Sequence, residues 1–551
     1  MTVNTMIAFL RRMNHWLESI GYGRVGFAFT VFLILGVIVT RFYYTLVTGY
    51  ILPDEAWYFN NFILDKARNL YYREVFVSIF TLFFNDVKDV HTLIIRGAIY
   101  SAIWAVGCVA AAYAIFKRLE VSQGSTALLL LSMPLFPIFI VLAPTILTET
   151  MGLFFALLGV YFIISYMQNY RATYALLSSI AFLMAYKVRE PYLIFLAGNF
   201  ITMLLAEKKP IRSILAYAVP MALVFPIPTS IQPLQFAQPI YAFVVTMWTQ
   251  IFHYPAPAPS PTTVVPTNPE HLFQPSISVP LQAQGAEFMR GFIVSLAYGY
   301  NPLFAIFAFV AFFTLTRSLA RHRSPIKAGV GWNMLLAFLS FAISLEIVVG
   351  TLPGALTTWT STMVRMTHTS LPVIAGFSSL YEKVKTKHMA AILLVFLVLA
   401  STQVPLLADT LQRGLSREPV ERLNFDYRAP YYRLYLLAKD SGRTLVLGIH
   451  MRAIRVYMSM LPNATAAYVP PTEEEFRNLL SKGWDTIFLY DDYFTIKIPE
   501  LAEAYPPYYR EILLSRSYQG YEIETLWVDG ESYALKMIPN IPSGTQLPTA
   551  I

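Results

Sequence analysis

The chain has 551 residues, of which 56% are hydrophobic and only 13% are charged, and its mean hydropathy is +0.51. Soluble globular proteins carry about twice that share of charged residues, so the composition predicts a polytopic membrane protein. The single cysteine, Cys108, excludes a disulfide framework, a Cys-based zinc site and an iron–sulfur site. The net charge of +8 comes mostly from basic residues between hydrophobic segments, where they orient a chain in a bilayer, so it does not indicate nucleic-acid binding.

Segments of about 20 mostly apolar residues, the length that a helix needs to cross a bilayer, predict eleven transmembrane spans. In chain order they are approximately Val25–Leu46, Leu93–Phe116, Ser125–Ala143, Ile146–Met167, Tyr174–Tyr186, Tyr192–Ala206, Ile214–Pro228, Phe292–Thr316, Trp332–Val349, Met366–Leu380 and Met389–Leu407. The segments that begin at Tyr174, Ile214 and Met366 are short, so the predicted number of spans is eleven to within one or two.

Basic residues set the predicted orientation, because Lys and Arg concentrate in cytoplasmic loops. Every even-numbered loop is basic, whereas the odd-numbered loops are poor in charge or very long. The residues are Arg11, Arg12 and Arg24 before the first span, Lys117 and Arg118, Arg171, Lys208, Lys209 and Arg212, Arg317, Arg321, Arg323 and Lys327, and Lys383, Lys385 and Lys387. The amino terminus is therefore predicted to be cytoplasmic, with the odd loops and the carboxyl tail facing outward from a cell membrane.

Two outer loops are not simple connections. The first, about 49–92, contains the apolar segment Leu70–Phe84, which Arg73 and Glu74 interrupt and which we interpret as a helix lying along the outer surface. The fourth, about 229–290, is long and rich in proline, and a loop of this kind is either disordered or functional, for instance a lid.

The tail, 408–551, has the composition of a soluble domain, and it follows a membrane domain that covers 1–407. Its hydrophobic pattern predicts strands and helices in alternation, which indicates a small extracytoplasmic α/β domain. The predicted elements are strand Thr444–Gly448, helix Met451–Met460, strand Ala467–Val469, helix Glu473–Ser481, and strands Thr486–Tyr490, Glu522–Val528 and Tyr533–Ile538. No Gly-rich phosphate fingerprint follows the first strand, which argues against nucleotide binding.

Carboxylates are placed unusually at two predicted outer span ends. Asp54 and Glu55 lie directly after the first span beside Trp57 and Tyr58, and desolvation there would raise a carboxyl pKa toward that of a usable base. A helix start at the membrane interface explains the pair equally well. Glu149, at the outer start of the fourth span, favours a functional site, because ionisable groups in spans usually face a bundle interior or a cavity.

Cations occur at the same predicted level. Lys187 and Arg189 lie in the short junction between the fifth and sixth spans, and Arg365 opens the tenth span with His368 one turn later. These positions run against the positive-inside rule. Snorkelling to the interface explains each cation alone, but together they favour an anion site, because guanidinium groups suit phosphate oxygens. His368 is more simply a packing or hydrogen-bonding histidine.

Two features of the tail receive ordinary structural interpretations. Asp491 and Asp492 end a predicted strand and are interpreted as a solvated turn. The tyrosine-rich stretch Tyr427–Tyr435 follows the last span and is interpreted as an anchor at the membrane interface.

In this order, these parts resemble the GT-C superfamily of integral-membrane glycosyltransferases, such as the protein O-mannosyltransferases and the lipid A aminoarabinose transferases. The matching features are Asp54-Glu55, the surface segment Leu70–Phe84, Glu149, Arg189-Glu190-Pro191, Arg365, the long fourth outer loop and the outward tail. The sequence departs from the family where Met366, instead of an aromatic residue, follows the late arginine. The Trp-Trp-Asp-Tyr-Gly signature of oligosaccharyltransferases is also absent, which argues for transfer of a single sugar.

The resemblance implies inverting transfer of one sugar from a polyprenyl-phosphate donor to a lipid, glycan or protein acceptor. It implies these roles: Asp54 as general base, Glu55 ordering the site, Glu149 orienting acceptor or base, Arg365, Arg189 and Lys187 binding the donor phosphate, and His368 and Tyr58 as accessory residues. No metal ligands are assigned and no cofactor is expected to be required, although carboxylates could hold Mg²⁺ or Mn²⁺.

Two other classes of function compete with this interpretation. A transporter or lipid flippase would line its path with the same charges, but such proteins carry charges near the midplane and internal pseudo-repeats, whereas the charges here lie at one predicted face. A scaffold that only anchors its tail needs one span and not eleven.

Overall fold

The computed structural model describes residues 21–49, 51, 53–66, 73–135, 143–189, 192–205, 211–224, 332–333, 336, 429–449, 451–491, 505–528 and 533–539. The fourth outer loop, nearly all of the last four predicted spans, Arg365 and His368 lie outside these residues. Trp332 and Asn333, which are helical, belong to the ninth predicted span.

The described part of the membrane domain is entirely helical. Its α-helices are α1 (Tyr22–Thr48), α2 (Pro53–Tyr58), α3 (Glu74–Phe84), α4 (Val90–Arg118), α5 (Gln123–Ser132), α6 (Thr148–Asn169), α7 (Ala172–Val188), α8 (Leu193–Leu205) and α9 (Ile211–Val224). A π-helical turn, Phe59–Leu64, extends α2, and a 3₁₀ turn, Met133–Leu135, extends α5. Helix α4 packs between α1 and α6, and α7 packs between α6 and α9.

Three of these helices, α1, α4 and α6, are long and apolar enough to cross a membrane. Helices α1 and α4 contain the first and second predicted spans and extend each by two or three residues at both ends, whereas α6 begins two residues after the predicted start of the fourth span and ends two residues beyond its predicted end. Helices α7, α8 and α9 overlap the fifth, sixth and seventh predicted spans.

The third predicted span, Ser125–Ala143, is wrong as a continuous helix. Helix α5 ends at Ser132, and the chain continues as a 3₁₀ turn that contains Pro134. Proline lacks a backbone N–H and clashes with the preceding helical turn. Ala143 already belongs to the turn that leads into α6.

The local sequence explains how two long helices begin and end. Asp89 has an extended backbone, and its side chain accepts a hydrogen bond from Thr92 N at 2.8 Å, so Asp89 caps the amino terminus of α4. Helix α1 ends at Gly49, which has a left-handed φ of 68° and donates from its N–H to Thr45 O. Glycine adopts this conformation without a Cβ penalty.

Aromatic residues hold together the described part of the segment between α1 and α4. The rings of Tyr58, Phe62, Phe76 and Phe80 lie 4.7–6.1 Å apart by centroid. The predicted surface segment, Leu70–Phe84, is wrong at its start, because Arg73 is non-helical and the helix begins at Glu74. Residues 67–72 lie outside the described part.

The tail forms α10 (Pro430–Lys439), β1 (Thr444–Gly448), α11 (Arg452–Met458), β2 (Ala464–Tyr468), α12 (Glu473–Leu480), β3 (Thr486–Asp491), α13 (Pro507–Ser515), β4 (Ser517–Tyr518), β5 (Tyr521–Val528) and β6 (Tyr533–Pro539). The six strands form one sheet in the order β2-β1-β3-β6-β5-β4. Strand β1 is parallel to β2 and β3, and the β3, β6, β5 and β4 neighbours pair antiparallel. The predicted α/β class is confirmed, but α10, α13 and β4 were not predicted.

Alternation along the strands gives the sheet two apolar faces. Leu445, Leu447 and Leu489 pack with α12 and α13. Val446 and Phe488 belong instead to the cluster that contains α10, α11 and the membrane helices. One hydrophobic core therefore runs from the helical bundle into one face of the tail domain.

Two interpretations of the tail are wrong. Asp491 is fully buried and accepts hydrogen bonds from Ile449 N at 2.6 Å, Tyr505 Oη at 2.8 Å and Tyr533 Oη at 2.6 Å, so it is not in a solvated turn. Asp492 lies outside the described residues. Tyr431 and Tyr435 are buried within the protein on α10 and do not form an exposed interfacial anchor. The ring of Tyr431 stacks with that of Tyr457, and the ring of Tyr435 contacts those of Tyr432 and Tyr457.

Candidate functional site

The segment with the adjacent carboxylates forms the short helix α2, immediately after α1. Pro53 opens this helix, where its missing N–H has no helical partner to lose. Glu55 is buried, and its Oε1 accepts a hydrogen bond from Ile146 N at 3.0 Å. Asp54 precedes Glu55 in the same helix. The chain thus places the Asp-Glu pair next to the turn that begins α6.

Arg41 is a site residue that the sequence analysis missed. Its Nη2 lies 3.5 Å from Glu55 Oε2, and its Nη1 donates to Thr45 Oγ1 one turn further along α1. A buried carboxylate is costly unless it is hydrogen-bonded or paired with a cation. The signal was available, because Arg41 is the one charged residue within the first predicted span and an ionisable residue there indicates a functional site.

Glu149 and Arg189 form a buried ion pair. Glu149 lies in the first turn of α6, and Arg189 follows the last residue of α7. Their side chains are only 3% and 4% exposed, and Arg189 Nη1 donates to Glu149 Oε1. The same nitrogen lies 3.3 Å from Thr148 Oγ1. The pair joins two span ends that are 40 residues apart in the sequence.

Helix α3 adds two polar contacts at the same end of the bundle. Lys187 Nζ lies 3.1 Å from Glu74 Oε2, which connects the end of α7 to the start of α3. Arg73, which precedes α3, donates to Tyr58 Oη at 3.0 Å. Helix α3 is therefore attached to both α7 and α2 at its amino-terminal end.

The structure thus brings Glu55, Glu149, Arg189, Lys187 and Tyr58 to one end of the bundle. Of the remaining predicted site residues, Asp54 is described for its backbone alone, and Arg365 and His368 lie outside the described residues.

The two buried carboxylates that the structure describes at this end already have protein partners. Glu55 accepts from Ile146 N and Glu149 from Arg189. In the described ranges, no group of three or more His, Cys, Asp or Glu side chains comes together that could hold a metal ion. The two carboxylates are arranged to position the Arg189 side chain and the short helix α2. A divalent ion would need further ligands from the rest of the chain.

The tail domain contacts the candidate site directly. Tyr457 Oη donates to Gly49 O, and Asn60 Nδ2 donates to Arg452 O at 2.8 Å. Burial raises the pKa of the Tyr457 hydroxyl, so this group remains a neutral donor. The described residues between α1 and α3 therefore contact the bundle through Glu55 and the tail domain through Asn60.

Comparison with known proteins finds no matching family model and no matching curated protein. Two solved glycosyltransferases are similar in structure. The oligosaccharyltransferase of Archaeoglobus fulgidus in the apo form has a TM-score of 0.47 at 10% identity, over 91% of this chain and 73% of that chain. The same enzyme in complex with zinc and sulfate has a TM-score of 0.44 at 13% identity, over 90% of this chain and 72% of that one.

The mycobacterial arabinofuranosyltransferase AftD has a TM-score of 0.45 at 12% identity, over 94% of this chain. The matched part is only 41% of AftD, so this chain corresponds to less than half of that protein.

Proposed function

We propose that this protein is an inverting membrane glycosyltransferase that moves a single sugar from a polyprenyl-phosphate donor to a lipid, glycan or protein acceptor. The reaction takes place at the outer face of a cell membrane, in a multi-pass protein with a cytoplasmic amino terminus and an extracytoplasmic tail domain. The donor carries its own lipid phosphate leaving group, so the enzyme needs neither a nucleotide site nor an obligatory metal.

One observation carries the proposal. Carboxylates and cations from α1, α2, α6 and α7 meet at one end of a hydrophobic bundle, through the contacts of Glu55 with Ile146 N and of Glu149 with Arg189. Charges buried at this depth are costly, and a packing role does not require them. Such a cluster supports chemistry on a charged lipid headgroup that enters from the bilayer.

The proposed reaction is a single displacement. Asp54 takes the proton of the acceptor hydroxyl as its oxygen attacks the anomeric carbon, and the bond from that carbon to the phosphate oxygen breaks. Because the attack comes from the face opposite the leaving group, the anomeric configuration inverts. Asp54 then releases the proton to water, and polyprenyl phosphate departs with the bonding electron pair.

Cations at the site stabilise the charge that grows on the phosphate. Arg365 and Arg189 supply the positive charge that opposes it, with Lys187 beside them. Fixed hydrogen-bond donors aimed at a developing negative charge lower the barrier to the reaction. The buried contact between Glu149 and Arg189 supports a role for Glu149 in orienting this arginine.

Glu55, held by Ile146 N and Arg41, would keep α2 and hence Asp54 in place. Tyr58 and His368 are accessory candidates.

A sided assay distinguishes the transferase from a transporter or flippase. Wild-type protein is reconstituted in vesicles with labelled polyprenyl-phosphate sugars in one leaflet and an extract of acceptor membranes. A transferase yields labelled acceptor and one polyprenyl phosphate for each sugar moved. Intact donor that appears in the opposite leaflet without release of polyprenyl phosphate contradicts the proposal and identifies a flippase.

The donor-phosphate role of Arg365 gives a separate prediction. Arg365→Ala should weaken donor binding about 10- to 100-fold, since a hydrogen bond to a charged group contributes about 1.5–3 kcal/mol. Arg171→Ala is the matched control, because Arg171 is exposed and lies in a predicted cytoplasmic loop. Donor affinity measured in nanodiscs is the readout, and equal affinities for the two variants would remove Arg365 from the phosphate site.

A further inference from the structure

The chain before the Asp54–Glu55 pair is bonded to the tail domain by its backbone. Thr48 O accepts a hydrogen bond from Ala429 N at 2.8 Å, and Gly49 O accepts one from Tyr457 Oη. Tyr431 contacts Ile51 twice: its hydroxyl accepts from Ile51 N at 2.9 Å and donates to Ile51 O at 3.1 Å. Residues 380 to 408 positions further along the chain thus bind the backbone of Thr48, Gly49 and Ile51.

The chain after the pair is bonded to the same domain. Asn60 Nδ2 donates to Arg452 O at 2.8 Å. Asp65 binds Arg455 through both carboxylate oxygens, at 2.6 and 3.2 Å. Since both ends of the segment are attached to α10 and α11, the position of α2 depends on how the tail domain is docked.

Close packing accompanies these hydrogen bonds where α10 and α11 meet the end of α1. A Cβ atom added at Gly49 would lie 2.0 Å from Tyr432 Cγ, so only glycine allows the ring to approach the end of α1. The rings of Tyr431 and Tyr457 stack with centroids 5.7 Å apart and an interplanar angle of 24°. Stacked rings leave each hydroxyl aimed at a fixed backbone atom of the α1–α2 turn.

We propose that Tyr431 is a positioning residue, and that the tail domain acts through its hydroxyl to hold Ile51, and with it the helix that carries Asp54, in the reactive position. The inference rests on the proposed function and deepens it, because it gives the tail domain a part in sugar transfer. A hydroxyl that donates to and accepts from one residue fixes both the distance and the direction of that backbone. Misplacement of a catalytic group by about 1 Å can cost on the order of 10²-fold in rate.

The test compares Tyr431→Phe with Tyr435→Phe in full-length protein in nanodiscs. Both variants lose one hydroxyl from α10 and keep the ring. Within the described residues, no hydrogen bond joins the hydroxyl of Tyr435 to 48–65, so Tyr435→Phe is the matched control. Two experiments are made on equal amounts of folded protein. The first measures kcat and donor KM for sugar transfer, and the second measures hydrogen exchange of backbone amides around Ile51 and in β1 and β3.

Tyr431→Phe should lower kcat about tenfold, change donor KM by less than about twofold and speed exchange around Ile51 alone, while Tyr435→Phe behaves as wild type. Full kcat in Tyr431→Phe would overturn the proposal, as would faster exchange throughout the tail domain, which would indicate a purely structural role. If wild-type protein transfers no sugar, the proposed function and the catalytic part of this inference both fail. The exchange measurement then still decides the contact itself, because unchanged protection of Ile51 would contradict it.

Discussion

At the scale of single residues, the buried pair of Glu149 and Arg189 determines how two span ends meet. Each side chain is almost completely removed from solvent, so each charge depends on the other for compensation. The nearby pair of Lys187 and Glu74 differs, because the Glu74 side chain is 56% exposed and water screens the interaction. Loss of the cation should therefore cost much more stability in the buried pair than in the exposed one.

Arg189→Met should destabilise the protein by about 3–5 kcal/mol, because it leaves the buried Glu149 carboxylate without the cation that compensates its charge. The double change Glu149→Gln with Arg189→Met should cost much less than Arg189→Met alone, since neither charge is then left unpaired. Lys187→Met is the control and should cost about 0–1 kcal/mol. Unfolding in detergent micelles measures all three, and a double variant less stable than Arg189→Met would contradict the pairing.

The charged residues of this end could be predicted from the sequence, but their partners could not. Glu149 and Arg189 stood out because ionisable groups are rare in apolar segments, and that signal needs no structure. Their contact depends on the relative rotation of α6 and α7, which periodicity does not determine. Asp491 shows the reverse case: a carboxylate beside a second Asp resembles a turn, and only the folded sheet surrounds it with Ile449 N and two tyrosine hydroxyls.

At the scale of elements, glycine sets how closely α1 can approach α5. A Cβ added at Gly26 would lie 2.6 Å from the backbone Cα of Ala127, so the two helices touch at this position. Ten residues along the same helix, a Cβ at Gly36 would meet nothing within 4 Å. Gly26 therefore has a packing role in α1, whereas Gly36 has none among the described residues.

Gly26→Leu should destabilise the bundle by about 1–3 kcal/mol or more, because the added side chain separates two packed backbones. Gly36→Leu should leave stability close to that of wild type. Thermal unfolding of the two variants in nanodiscs gives the comparison. Equal melting temperatures for Gly26→Leu and wild type would mean that α1 and α5 do not pack as described.

The elements themselves were largely predictable where one physical signal dominated. Strand Thr444–Gly448 was predicted at its observed bounds because a short apolar run is typical of a buried central strand. Thr472 caps α12, because its hydroxyl accepts a hydrogen bond from Glu475 N at 3.4 Å. Helix α10 was not predicted because its tyrosines resemble a membrane anchor. In the structure they pack instead against Tyr457 and Gly49, and sequence patterns do not reveal such contacts.

At the scale of the whole molecule, the described contacts separate the two ends of the bundle. Gly23 N, near the start of α1, donates to Gln123 Oε1 at 3.0 Å, which places the α4–α5 connection at that end. The tail domain contacts Thr48 and Gly49 at the other end of α1. If α1 crosses the membrane, Glu120 and the tail domain lie on opposite sides of it.

Labelling in intact cells tests this sidedness. A membrane-impermeant thiol reagent should modify Lys482→Cys in the tail domain and should not reach Glu120→Cys until the cells are permeabilised. Both positions are exposed, and the natural Cys108 is buried and contributes little background. Labelling of Glu120→Cys from outside, or of Lys482→Cys only after permeabilisation, would invert the orientation and remove the site from the outer face.

The most direct test of the central claim is sugar release by wild type, Asp54→Asn and Glu120→Gln in nanodiscs, with a panel of labelled polyprenyl-phosphate sugars and host membrane extract. Glu120→Gln is the control, since Glu120 is an exposed carboxylate at the far end of the bundle. Removing a general base should lower kcat by on the order of 10²–10⁴-fold with donor binding retained, so label should leave the donor with wild type and Glu120→Gln but hardly with Asp54→Asn. Full activity of Asp54→Asn would contradict the assigned base, and no transfer by wild type from any donor, with a control enzyme active, would contradict the glycosyltransferase itself.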